Sequence, residues 1–259
     1  MLRAEYSVCC EPGDLRRGNQ DRVFAARGEV NGQQAGIFMV ADGCGGMALG
    51  EKISTLLAES FSRIWEEELP RLLRQTGAPH AHMRPAIEDW VQRINASAYA
   101  FGQSVGEKVG STLSLLVLLD RRYYICNAGD SRVYRLRADG WERLTEDQSL
   151  VADMLRNGEL TEDEAARFPR KNVLTMCVGY FEQARLYFTQ GRLRAGDLFL
   201  LCSDGLYNAL GAETLDAFRP AEITPESASR LRRMIPPGGA ADNVSALLVE
   251  LRGGWRDSL

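Results

Sequence analysis

The chain has 259 residues, 45% hydrophobic and 25% charged, with a formal net charge of −4. That is ordinary globular composition with enough length for a sizeable core, and a mildly acidic chain without a Lys/Arg-rich run argues against a nucleic-acid or anionic-membrane surface. Uninterrupted apolar stretches such as Leu115 to Leu119 are far short of the roughly 20 residues that span a bilayer, and Met1 to Glu5 shows no apolar signal region, so a cytoplasmic protein is expected.

Glu5 to Cys10 and Arg22 to Ala26 read as short strands, and Gly36 to Val40 as an apolar strand ending at Asp42. A helical pattern runs from about Leu49 to Leu69, with Ile53, Leu56, Leu57, Phe61, Ile64 and Trp65 on one face. Gln75 to Pro85, with Pro, Gly and both histidines (His80, His82), reads as a solvated loop. A second helix covers about Pro85 to Gln103. Ser111 to Leu119, Tyr123 to Asn127 and Arg132 to Arg137 read as strands. Their joints at Asp120 to Arg122 and Ala128 to Asp130 are too short for parallel crossovers and predict antiparallel pairing. Ala138-Asp139-Gly140-Trp141 is a hairpin signal. Leu150 to Pro169 is a charged, mostly helical insertion. Arg185 to Thr189 and Asp197 to Cys202 read as strands with Gly191 and Gly196 between them. Two short helices, about Ala212 to Phe218 and Pro225 to Met234, precede a last strand at Val244 to Leu251. Stacked sheets covered by helices would bury all these faces.

The six cysteines form no C-x-x-C pair, and most lie in apolar runs where a free thiol packs as a small core residue. A reducing compartment suits them better than a disulfide framework. Two histidines leave little material for a zinc site or a Ser-His-Asp triad.

Three segments each place an Asp beside an apolar run: Val40-Ala41-Asp42-Gly43-Cys44-Gly45-Gly46, Leu201-Cys202-Ser203-Asp204-Gly205-Leu206 and Ala241-Asp242-Asn243-Val244-Ser245. Strand ends deliver side chains to one sheet edge, so the three carboxylates could meet there and hold hard divalent cations. Singly, each Asp-Gly is an ordinary turn signal. Two more segments complete an ordered set: Gly13-Asp14-Leu15-Arg16-Arg17-Gly18-Asn19-Gln20-Asp21 and Asn127-Ala128-Gly129-Asp130-Ser131-Arg132.

In this order the segments resemble the metal-dependent Ser/Thr protein phosphatases (PPM, type 2C) in their bacterial single-domain form, from about residue 6 to 250. The resemblance implies an α+β fold. Its centre is an antiparallel β-sandwich flanked by helices, four α-β-β-α layers, with a small flap subdomain at about 148–178 inside one domain covering 1–259. It implies two Mn²⁺ or Mg²⁺ ions and a third, weaker one. Asp42 would bridge the pair with the Gly43 carbonyl as a further ligand, and Asp204 and Asp242 would complete the set. Asp21 would ligate or orient water, and Arg16 would hold the substrate phosphate bidentately. The family commonly has Glu where this chain has Gln20, a weaker neutral ligand. Asp130 matches a third-metal ligand shared with Asp204; read from the residues alone, it is equally a hairpin-turn Asp pairing with Arg132. Cys44 stands where relatives carry His or Met and reads as a space-filling side chain. Asn172-Val173-Leu174-Thr175 with Gly179 matches the flap exit.

The implied activity is hydrolysis of phosphoserine and phosphothreonine on proteins by a metal-activated water, counteracting a bacterial Ser/Thr kinase. The expected partners are phosphorylated proteins, with no nucleic acid and no membrane, and the expected state is a monomer. One rival reading is a catalytically weak or dead phosphoprotein-binding regulator, which Gln20 favours and the full set of Asp residues opposes. The other is a phosphatase of the anti-sigma-antagonist branch, which Arg16 to Asn19 opposes.

Overall fold

The computed structural model describes residues 2–45, 49–169 and 173–253. Gly46 and Asn172, part of the motifs above, lie outside them. Eleven strands are described, in two antiparallel sheets. The first sheet runs β1 (Leu2–Glu11), β11 (Val244–Gly253), β10 (Leu198–Cys202), β7 (Arg132–Arg137), β8 (Gly140–Arg143). The second runs β2 (Asp21–Val30), β3 (Gln33–Cys44), β5 (Leu113–Leu119), β6 (Arg122–Ala128), β9 (Tyr187–Arg192), with the short β4 (Gly110–Ser111) paired to the end of β3.

Strand alternation sorts the core into layers. Along β3, Phe38 and Val40 point between the sheets and meet Leu116, Ile125, Phe199, Leu201, Leu247 and Val249. Ile37, Met39 and Ala41 point the other way, onto Ile53, Leu57 and Phe61 of α1 (Leu49–Arg63) and Met83, Ile87, Trp90 and Val91 of α3 (Pro79–Val105). A strand buried on both faces reads as a continuous apolar run, which is why Gly36 to Val40 is so apolar. Each such fully buried large side chain stabilises the fold by about 1.5–3 kcal/mol. The outer face of the first sheet, Leu200, Cys202, Ala246 and Leu248, packs on α6 (Asp204–Leu210), α7 (Ala212–Ala217) and α8 (Ser227–Arg233). The result is the expected sequence of helix, sheet, sheet and helix layers.

Several elements differ from the sequence reading. The helix begun at Leu49 does not stop near Leu69; a π-helical turn, Ile64–Glu68, carries it into α2 (Leu69–Gln75). Helix α3 starts at Pro79, whose fixed φ suits a first helical position, so His80 and His82 are helical rather than in a loop. His80 is half-buried, with its Nδ1 2.9 Å from the Tyr124 hydroxyl. The strand read from Ser111 to Leu119 is interrupted at Thr112. Gly191 lies inside β9 rather than between strands, and that strand begins at Tyr187. Asp204 opens a helix, α6, that the apolar pattern did not announce. Residues 128–132 do not close a hairpin: β6 and β7 belong to different sheets, and the short joint crosses between them. Within 148–178 are two short helices, α4 (Leu150–Arg156) and α5 (Glu162–Ala166), capped by the Ser149 and Thr161 side chains. Among the described residues no helix is long and apolar enough to cross a membrane.

Candidate metal centre and phosphate site

Five acidic residues reach one end of the sandwich from both sheets. Asp21 opens β2 and lies directly across from Asp42 near the end of β3. Asp130 sits on the joint that crosses between the sheets, Asp204 at the first turn of α6, and Asp242 just before β11. Asp42, Asp130, Asp204 and Asp242 line one cavity of about 250 Å³ together with Arg16, Gln20, Gly43, Cys44 and Thr112. Asp21 is fully buried behind it.

Backbone and side-chain bonds fix each position. The Asp42 amide donates to Thr112 Oγ1 at 3.0 Å and its carbonyl accepts from the Thr112 amide at 2.8 Å, so the strand break at Thr112 serves Asp42. Asp21 Oδ2 accepts from Ser203 Oγ at 2.8 Å and Ser245 Oγ at 2.7 Å, both beyond or within strands of the opposite sheet. Asn243 holds the loop that carries Arg16. Its Nδ2 donates to the carbonyls of Pro12 (3.0 Å) and Gly18 (2.9 Å), and its Oδ1 accepts from the Gln20 amide at 2.9 Å. Asp14 adds a second tie, accepting from Arg232 at 2.8 Å and the Ala240 amide at 3.0 Å. The Gln20 carbonyl accepts from Gly43 N (3.2 Å) and Ser54 Oγ (2.5 Å), linking α1 to the site. Arg16 Nη2 donates to Asp242 Oδ2 at 2.8 Å.

Packing these carboxylates together raises their affinity for protons. Burial lifts Asp42 well above the usual carboxylate range, and Asp21, Asp204 and Asp130 add to it by repulsion. Burial and then Asp204 push Asp130 up to about 8. Burial pushes Asp21 up to about 6 against the two serine hydrogen bonds. Asp204 is raised by burial and then by Asp242. Asp42 and Asp204 keep an opening to the cavity while protein surrounds them on the other sides. Asp242, through its hydrogen bond and charge, strengthens the hold of Arg16 on its proton, with Asp42 and Asp204 adding.

The donor set suits hard divalent cations: oxygens from carboxylates, an amide and a carbonyl, with no histidine among the described residues lining the cavity. Asp21 Oδ1 is buried with no hydrogen-bond partner, an unmet oxygen of the sort a cation or its water would satisfy. Among the described residues no three acidic, cysteine or histidine side chains have closed round a single point. Arg16 forms an ion pair with Asp242 at 2.8 Å. The turn pairing of Asp130 with Arg132 is not found. Arg132 makes a fork to Asp147, 2.7 Å at its closest, with its guanidinium 3.6 Å from the Tyr207 ring centroid.

A family model described as protein phosphatase 2C matches residues 16–247. The chain belongs to the protein phosphatase 2C family. It is 31% identical over 258 residues to the serine/threonine phosphatase stp of Listeria innocua, covering 96% of each chain. Among solved structures, the serine/threonine phosphatase of S. agalactiae superposes with a TM-score of 0.82 at 26% identity, over 95% of this chain and 99% of the other. The catalytic domain of the serine/threonine protein phosphatase PstP, in complex with two manganese ions, gives a TM-score of 0.81 at 27% identity, over 98% of this chain and 100% of that one.

Sequence reading had no role for Ser203, Ser245 or Asn243 in this phosphatase 2C chain. Ser203 and Asn243 adjoin the metal-ligand Asp candidates and Ser245 follows two residues on, but a buried hydroxyl or amide leaves no periodic signal. Only the pairing of β10 with β11 and of β2 with β3 shows which carboxylate the serines serve.

Proposed function

We propose that this protein hydrolyses phosphoserine and phosphothreonine esters on proteins, with divalent cations held by the carboxylate cluster. The observation that carries the reading is the convergence of Asp42, Asp130, Asp204 and Asp242, from both sheets, on one cavity edged by Arg16, with Asp21 buried behind it across from Asp42. Asp42, with the Gly43 carbonyl, Asp204 and Asp242, would hold two ions, Mn²⁺ or Mg²⁺. Asp21 would contribute through its unpaired Oδ1, with Gln20 as a further neutral ligand, and Asp130 with Asp204 would hold a third, weaker ion. When bound, the cations supply an activated water and offset the charge on the phosphoryl group.

The chain's own residues do the rest. Arg16 exchanges Asp242 for the phosphate oxygens, which its guanidinium fork matches. Asn243 and Asp14 keep the Arg16 loop seated, so orientation is set before substrate arrives. Ser203 and Ser245 hold Asp21 by one oxygen and leave the other directed elsewhere. Residues of about 148–178 act as a flap beside the cavity, to which Leu174 contributes. The substrates are proteins phosphorylated by a Ser/Thr kinase in the cytoplasm, consistent with six free cysteines.

Phosphate release from a phosphothreonine peptide, with Mn²⁺ and then with excess chelator, tests this reading. Turnover that needs the cation and spares a phosphotyrosine peptide of the same sequence is expected. Full turnover in demonstrably metal-free protein would overturn it.

A further inference from the structure

We infer that Cys44 and Cys177 form an oxidation site, a dithiol that hydrogen peroxide closes to a disulfide with reversible loss of activity. The two sulfurs lie 3.5 Å apart. They approach from either side of β4: Cys44 pairs with Gly110, and Val178, next to Cys177, bridges to Ser111. The missing side chain at Gly110 provides the space, since a Cβ there would sit 2.7 Å from the Cys177 sulfur. Cys44 lines the same cavity as the carboxylates, so a small oxidant reaches it by the route open to substrate. Cys177 is buried. The other thiols lie elsewhere: Cys9, Cys126 and Cys202 are buried among apolar side chains, and Cys10 is engaged by Asn19 and Ser245.

The chemistry balances with peroxide as the two-electron oxidant. The Cys44 sulfur attacks one peroxide oxygen, the O–O bond breaks, and a sulfenic acid and one water result. The Cys177 sulfur then attacks the Cys44 sulfur, the S–O bond breaks, and the second water leaves as the disulfide forms. Both thiol protons end in water. Cys44 lines the open cavity and Cys177 lies buried behind it, which assigns the first attack to Cys44 and the resolving step to Cys177.

Closure brings the sulfurs from 3.5 Å to about 2.05 Å. It draws the end of β3 toward the segment at Cys177, across Gly110. Asp42 and Gly43 immediately precede Cys44, so the bond displaces the residues assigned to the cations. This inhibitory consequence rests on the phosphatase reading, whereas the cross-link itself does not.

The test treats the full chain with hydrogen peroxide in chelator, removes the peroxide with catalase, restores Mn²⁺ and assays phosphopeptide turnover with and without dithiothreitol. Peptides are mapped in parallel without reductant. A Cys44–Cys177 linked peptide is expected, with turnover down on the order of tenfold or more, as for a small misplacement at a reacting centre, and regained on reduction. Cys177→Ser should keep the untreated activity but lack the linked peptide. Its Cys44 should go on to the sulfinic acid, so reduction should not restore turnover. Cys177→Ala repeats the experiment if the serine variant fails to fold. Absence of the linked peptide in the oxidised wild type overturns the inference, as does equal dithiothreitol-reversible inactivation of the Cys177 variant. An untreated protein with no turnover would instead defeat the phosphatase reading while leaving the peptide map interpretable.

Discussion

Gln20 stands where the sequence resemblance implies a Glu. Asp42, Asp204 and Asp242 bring three negative charges against the four positive charges of two divalent ions. A Glu at position 20 would close that gap; a neutral amide does not. Asp21 is the neighbour able to compensate, since it is fully buried and one of its oxygens has no partner. Its other oxygen is anchored by Ser203 and Ser245, so it can turn toward a cation only as far as those bonds permit. Affinity for hard cations rises with the charge of the ligand set, and Gln20→Glu is expected to lower the Mn²⁺ concentration for half-maximal turnover by roughly tenfold. Titration of Mn²⁺ against turnover for both proteins measures this. Equal midpoints would mean that Asp21 already supplies the missing charge.

The elements that carry the site approach one another more closely than side chains ordinarily allow. Helix α6 starts against the Asp242–Asn243 segment, and a Cβ on Gly205 would lie 2.0 Å from the Asn243 carbonyl oxygen. Helix α1 meets the end of β3 in the same manner: a Cβ on Gly43 would lie 2.5 Å from the Gly50 carbonyl. Gly205→Ala must therefore push α6 or the Asn243 segment aside. It should destabilise the fold by about 1–3 kcal/mol, the usual range for overpacking, and loosen the Arg16 loop that Asn243 ties down. Urea unfolding with turnover on the same samples checks this, and an unchanged midpoint would refute the close packing. These contacts also mark what sequence could and could not disclose. The apolar run of β3, the face of α1 and the Asp-bearing strand ends were legible because burial on a strand or helix imposes a period. The boundaries at Pro79 and Gly191 were not, because Pro can start a helix as well as break a loop, and Gly can lie within a strand. The joint at residues 128–132 has the length of a hairpin turn. That it changes sheets is decided by the pairing of β7 with β10, a partner distant in sequence.

Both sheets are needed to make the site, and neither holds it alone. Asp21 and Asp42 belong to the β2–β3 pair, Asp204 and Asp242 flank the β10–β11 pair, and Asp130 lies on the crossing between them. Core side chains such as Phe38, Phe199 and Leu247 fix the separation of the sheets and so the distance between the two carboxylate groups. Close packing transmits such spacing with little give, and both carboxylate groups emerge at the same end of the sandwich. The phosphatase reading depends on that end binding divalent ions through carboxylates. Titration calorimetry of the chelator-treated protein with Mn²⁺ measures it without reference to turnover. Wild type and Arg16→Ala should both bind the paired two ions, with any third binding more weakly, because Arg16 serves the phosphate, whereas Asp42→Ala should lose the paired binding with its fold intact by circular dichroism. Unaltered Mn²⁺ stoichiometry and affinity in Asp42→Ala would contradict the assignment of this cluster as the metal centre.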